Sequence, residues 1–397
     1  MFYPSLQPLF SNRERFMITI IRLSSPPKHH FYGYYGIEAW DLSLRYHLAL
    51  ETDFHEHRPI VGDVASVGLI DRETRAFTPY ASTSAFNLQQ GSMMHWIDVG
   101  FGSEFTFNDW ENGALVSRTI NLQTRETRTI HGAVAALSPT QPVALGLNFA
   151  RMAHCRAVVG YENEMDIDSL QRHPRDDGLF LLDLRDGSSN LILSIADLVR
   201  ESQEMNIPDG LAWFNHVLFN TDGTRVLFFC RIRHGDGFLS SLWTVNPDGS
   251  NLACQIPFGN KVSHFDWRDE SRILISSDVT GEMQFLELTD GRGDFKPFGA
   301  GVLPQDGHAS FSPDRNWIVC DTYPKNPQRL AELMLYDIRR ERKIMLGGFY
   351  SEEMFTGDIR CDLHPRWSSD GRMITFDSVH EGSRQIYLAN VEEIVSG

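Results

Sequence analysis

Residues 358–380 read Asp-Ile-Arg-Cys-Asp-Leu-His-Pro-Arg-Trp-Ser-Ser-Asp-Gly-Arg-Met-Ile-Thr-Phe-Asp-Ser-Val-His. A polar cluster, Arg360, Cys361, Asp362 and His364, leads into Pro365-Arg366-Trp367, and Ser369-Asp370-Gly371 then turns the chain into the apolar run 373–376. Glycine supplies the positive φ of a tight hairpin and aspartate bonds its own backbone there, so the phrase reads strand, turn, strand. It recurs around Asp222, Asp269 and Asp314, each followed by an apolar run, and the four aspartates are spaced 47, 45 and 56 residues apart. A period of about 40–50 residues with four strands per unit marks a β-propeller, in which each blade buries its faces only against its neighbours. Seven such units account for the chain from residue 28 onward. The expected fold is all-β: a seven-bladed β-propeller of four-stranded antiparallel blades around a central channel. Residues 1–27 are expected as an N-terminal extension and 28–397 as one propeller domain. Only residues 195–205 carry a helical pattern.

The chain has 397 residues and a formal net charge of −16, which argues against nucleic acid or an anionic membrane as partner, though not against a small acidic ligand in a local basic pocket. No apolar run approaches the roughly 20 residues of a membrane helix, and residues 16–21 are too short for a secretory signal. Five scattered cysteines fit reduced thiols and a cytoplasmic setting. No organic cofactor is expected.

Several phrases resemble one family: His29-His30-Phe31-Tyr32-Gly33-Tyr34-Tyr35-Gly36, Asn87-Leu88-Gln89-Gln90-Gly91, Gly307-His308 with Asp321-Thr322-Tyr323-Pro324, and Arg360 through Trp367. Together they resemble the seven-bladed propeller polysaccharide lyases, the ulvan lyases most and the oligogalacturonate lyases more distantly. The resemblance implies β-elimination at a uronic acid in an oligosaccharide or polysaccharide, giving a 4,5-unsaturated uronate. That chemistry needs a group to neutralise the C5 carboxylate, a base for the C5 proton and an acid for the leaving oxygen.

By the same resemblance His95 falls where ulvan lyases place a catalytic histidine, and Tyr161 where they place a catalytic tyrosine. Arg175 or Arg231 would hold the carboxylate, since a planar guanidinium matches it. Arg231 and Arg233 alternate on one strand and face the same way; with His30, Tyr35, Gln90 and His264 they complete the expected substrate contacts. The family's second active-site histidine meets Ala114-Leu115-Val116 here, so either another group neutralises the acid or the substrate is not ulvan.

Oligogalacturonate lyases carry a catalytic divalent metal on histidines that match His308 and His364, while Asp362 stands where they have another histidine. The expected ligands are His308, Cys320, Asp362 and His364. A mixed set with cysteine favours zinc over manganese or calcium. A plainer reading competes throughout: Tyr161 as a packed core tyrosine, and the recurring His216, His264, His308 and His364 mostly as hydrogen-bonded ties between blades. Two other classes stay open, a non-catalytic propeller that binds carbohydrate or protein, and an isomerase or epimerase acting next to a carboxylate.

Overall fold

A computed structural model describes residues 18–97, 104–165, 167, 170–201, 209–325 and 327–396. Seven four-stranded antiparallel sheets form a ring, the seven-bladed propeller expected. Blade one runs His29–Phe31, Tyr46–Thr52, Ala65–Asp71 and Phe77–Thr83, and the later blades follow the same inside-to-outside order.

Strand alternation explains the ring. In Val226–His234 of blade four, Val226, Phe228, Cys230 and Ile232 pack with Leu145 and Leu179 of blade three. The intervening Leu227 and Phe229 pack with Phe265, Ile273 and Ile275 of blade five. Because successive side chains point to opposite faces, one apolar strand cements two neighbours, and each buried large side chain contributes about 1.5–3 kcal/mol. Asp222, Asp269, Asp314 and Asp370 are turn residues as expected, each accepting from a backbone N–H two residues on.

The blades are also tied by tryptophans. Trp96, Trp267 and Trp367 donate their indole N–H groups to Ala39, Leu218 and Ser310 carbonyls of the preceding unit. That is the role the sequence suggested for the recurring histidines.

The expected boundary at residue 28 falls too late. Thr19–Arg22 pairs antiparallel with Gln385–Asn390 as the outer strand of the seventh blade. Ile20 packs on the cluster containing Phe349 and Phe376, and Ile21 on the one containing Trp40 and Ile386, so this segment closes the ring by apolar burial on both faces. Residues 1–17 of the expected extension lie outside the described residues. The expected helix at 195–205 is present as Ile195–Glu201, with 202–205 outside the described residues. The helix Phe149–Cys155, inserted between the second and third strands of blade three, was not expected. No described helix is long and apolar enough to cross a membrane.

Candidate functional site

Four histidines mark one end of the channel. His264, His308 and His364 form a contiguous row, with ring centroids 4.2 Å and 4.1 Å apart along it, and His216 sits at the corresponding place in blade four. Tyr34 and Tyr35 reach across the axis from blade one. The Tyr35 ring touches His264, His308 and His364, its hydroxyl donates to the Phe265 carbonyl at 3.3 Å, and the Tyr34 hydroxyl lies 2.6 Å from His216 Nδ1.

Asp377 sets that crossing. Its Oδ2 accepts from Tyr32 N and Gly33 N, and its Oδ1 from Arg366 Nη2 at 2.7 Å, while Arg366 Nη1 donates to the Tyr34 carbonyl. Gly33 is required: it has φ +98°, and a Cβ there would sit 2.3 Å from Gly91 N, nearer than any side chain allows.

One carboxylate orients two members of the row. His308 Nδ1 lies 2.9 and 3.0 Å from the two Asp321 oxygens, and the same carboxylate accepts from His308 N and His364 N. Holding Nδ1–H this way turns Nε2 of His308 inward, where it stands 3.1 Å from His364 Nε2. Burial pushes His308 down, but Asp321 offsets that and leaves it raised above the ordinary imidazole value. Burial and the neighbouring His308 hold His364 well below it. Asp362 completes the group: ligand atoms of His308, Asp362 and His364 all lie within 4.8 Å of one another and all three residues are buried. Asp362 Oδ2 accepts from Arg360 Nε at 2.7 Å, and its Oδ1 is buried with no hydrogen-bond partner. An orphaned carboxylate oxygen beside two imidazole nitrogens, one oriented by a second carboxylate, fits a divalent ion.

Cys320 is not part of this group. Its thiol donates to the Asp321 carbonyl and packs with Leu274, Ile318 and Met334. The expected ligand set therefore loses its sulfur, and with it the basis for zinc. What remains is two imidazoles and a carboxylate, which suits manganese as well.

Beside the row, His264 Nδ1 lies 2.9 Å from Asp306 Oδ1 and Nε2 lies 3.4 Å from the Tyr323 hydroxyl. Burial lowers His264 and raises Tyr323 well above the ordinary phenol, so the resting pair is a neutral imidazole facing a protonated phenol. Arg231 is buried. Burial, and after it the like charge of Arg156, hold it well below the ordinary guanidinium value. Gln90 Nε2 lies 3.4 Å from His216 Nδ1.

The other expected residues stand elsewhere. His95 and the tyrosine pair line a cavity of about 180 Å³ with Ala135, Val217 and Asp266. Val217, Asp266 and Ser310 follow His216, His264 and His308 along their inner strands, so the cavity lies beyond the tyrosines from the histidine row. Tyr161 has no exposed surface; it stacks on Phe149 at 4.5 Å, and its oxygen accepts from Asn108 Nδ2 at 3.0 Å. His95 and Tyr161 are thus not brought together with the row. Arg175 is exposed and Arg233 donates to the His154 carbonyl. His30 uses both ring nitrogens on Gln385 and Glu51. Tyr323, Asp306 and Arg156 were missed. Tyr323 could have been found from Asp321-Thr322-Tyr323, which follows the strand that carries the histidine-orienting carboxylate. Arg156 lies in the unexpected helical insertion.

No family model matches the chain, and no curated protein matches its sequence. Among solved structures, an oligogalacturonate lyase from Vibrio parahaemolyticus is similar with a TM-score of 0.65 at 16% identity, covering 94% of this chain and 93% of that one. An oligogalacturonate lyase in complex with manganese gives 0.66 and 16%, over 95% and 94%. The tricorn protease gives 0.51 and 9%, over 96% of this chain and 35% of that one. These likenesses establish a shared propeller fold.

Proposed function

We propose that the chain is a metal-assisted lyase that cleaves a glycosidic bond next to a uronic acid by β-elimination. The observation that carries this reading is the buried group of His308, Asp362 and His364, with an orphaned Asp362 oxygen, set beside a hydrogen-bonded Asp306, His264 and Tyr323. Similarity to the fold of oligogalacturonate lyases, one of them in complex with manganese, supports it.

A divalent ion held by His308, Asp362 and His364 would supply positive charge to the sugar's carboxylate and so stabilise negative charge developing at C5. The chain's own groups handle the proton. Asp306 fixes His264 in the tautomer whose Nε2 is free to accept, and the Tyr323 hydroxyl stands 3.4 Å from that nitrogen. As the C5–H bond breaks, the phenol oxygen takes the proton and passes its own to His264, where Asp306 stabilises the imidazolium. The C5 electron pair forms the C4–C5 double bond, C4–O breaks, and the leaving oxygen recovers the proton by the reverse path. No proton is lost or gained overall. Tyr35 and Gln90 border the same space.

The test is incubation of the protein with glucuronate- and galacturonate-containing oligosaccharides while following the ultraviolet absorbance of an unsaturated uronate. Tight binding with no absorbance change across the panel favours a carbohydrate-binding propeller instead.

A further inference from the structure

A second group of metal-ligating side chains lies where blade one meets blade seven. His29 opens the inner strand His29–Phe31, and His55 and Glu56 follow the next strand, Tyr46–Thr52, on the connection 53–64. His29 pairs with Thr52 across the sheet, so the chain three residues past Thr52 is still beside it. The two imidazoles stack with ring centroids 3.7 Å apart and planes 15° from parallel. Ligand atoms of His29, His55 and Glu56 all lie within 4.8 Å of one another. None of the three belongs to the histidine row.

Each donor is prepared in its own way. His29 Nδ1 lies 3.0 Å from Ser383 Oγ of blade seven; with Nδ1–H donating there, Nε2 carries the lone pair, as in an imidazole oriented for a metal by its other nitrogen. His55 Nδ1 is buried and has no hydrogen-bond partner, so folding has desolvated a nitrogen without compensating it. Burial holds both rings below the ordinary imidazole value, His55 at about 4, which leaves them neutral and able to ligate near pH 7. Glu56 is exposed and accepts from His55 N at 2.8 Å, a bond that lowers its carboxyl. Two cations stand near: Arg384 donates to the carbonyls of Leu88, Ile359 and Arg360, and Lys28 pairs with Asp53. Parallel rings hold their lone pairs side by side, so an ion would tilt the His55 ring out of the stack. The orphan Nδ1 has no hydrogen bond to break in doing so.

We propose that His29, His55 and Glu56 form a second divalent-metal site, of the zinc type, that ties the connection 53–64 to the inner strand of blade one. Two imidazoles, a carboxylate and one water make the four ligands of tetrahedral zinc, and zinc is held more tightly than manganese on such donors. The connection reaches well beyond its own blade. Arg58, two residues past Glu56, lies 3.6 Å from Glu162 on the blade-three insertion and 3.6 Å from Asp358 ahead of blade seven. An ion at its base therefore steadies a strap that touches three blades. The site does not depend on the lyase reading.

The test titrates the full chain, free of any tag and treated with chelator, with zinc in a calorimeter. Wild type is expected to bind two ions, one at the histidine row and one here. His55→Ala should lose one of them, and His364→Ala, which alters the row, should keep the ion assigned here. Glu56→Gln, at an exposed position, should weaken one ion about tenfold or more, and it decides the matter where His55→Ala does not fold by circular dichroism. Zinc should also raise the thermal midpoint of His364→Ala, a rise that His55→Ala in the same background removes. A single ion that is lost in His55→Ala and retained in His364→Ala leaves this site standing and removes the metal from the row. No zinc bound by wild type, or zinc binding by His55→Ala or by Glu56→Gln equal to that of wild type, overturns the site.

Discussion

Nε2 of His308 and Nε2 of His364 face each other at 3.1 Å, and the backbone N–H groups of both residues are held by the single carboxylate of Asp321. Two imidazoles in that arrangement share one proton or one cation between their facing nitrogens. Asp321 is therefore a positioning residue for the candidate metal group. Asp321→Asn should weaken manganese binding about 10- to 100-fold, measured by titration of chelator-treated protein. Unchanged affinity would show that Asp321 serves the fold alone.

Tyr161 and Tyr323 offer a direct contrast. Tyr161 is enclosed, and its hydroxyl oxygen accepts a side-chain hydrogen bond from Asn108. Tyr161→Phe should therefore cost about 1 kcal/mol of stability and leave turnover within about twofold. Tyr323→Phe should leave the urea midpoint nearly unchanged and lower turnover about 100-fold or more. The reverse pattern would return the catalytic role to Tyr161.

His95 supplies a prediction in pH. Burial pushes its imidazole down to about 4, against a smaller opposing hydrogen bond to Ala135, from an ordinary value of 6.5. Between those values the unfolded chain binds the proton and the folded chain does not. Stability from this group is thus complete above about pH 6.5 and falls as pH drops toward 4, by at most about 3 kcal/mol. His95→Gln should flatten that acid limb, read as urea midpoints at pH 7 and pH 4.5. An identical slope in the variant would mean that His95 is not the titrating group.

Asp377 and Arg366 are almost wholly buried, and Asp377 also accepts from two backbone N–H groups in the Tyr32-Gly33 turn. Asp377→Ala leaves a buried guanidinium unpaired and should destabilise the protein by about 3–5 kcal/mol. A cost below about 1 kcal/mol in urea unfolding would show that the crossing of Tyr34 and Tyr35 is held by other contacts.

The fold was legible because it is a repeated local code, seen best in the four turns at Asp222, Asp269, Asp314 and Asp370, each followed by an apolar strand, at spacings of 45 to 56 residues. The ring's closure was not, since Thr19–Arg22 finds its partner hundreds of residues away, at Gln385–Asn390, and no local pattern records that pairing. For the site, the recurrence of His264, His308 and His364 in consecutive blades was legible in the repeat, whereas a ligand role for His308, Asp362 and His364 came only from the resemblance. Cys320 was misassigned because a buried strand alternates, and its thiol points into the blade while Asp321 next to it points at the row. The burial of Tyr161 against Phe149 was not legible, because a resemblance in sequence carries no information on burial. Tyr323 and Arg156 stand on connections between strands, where the repeat imposes no register.

The most direct test of the account is the ultraviolet readout of an unsaturated uronate, made on chelated protein, on the same protein resupplied with manganese, and on His364→Ala with manganese. The expected result is product only from the resupplied wild type, with loss of at least about 100-fold in the other two. Equal product formation by all three would contradict the account by removing the histidine row from the chemistry, and no product from any uronate oligosaccharide in the resupplied wild type would contradict the lyase reading itself.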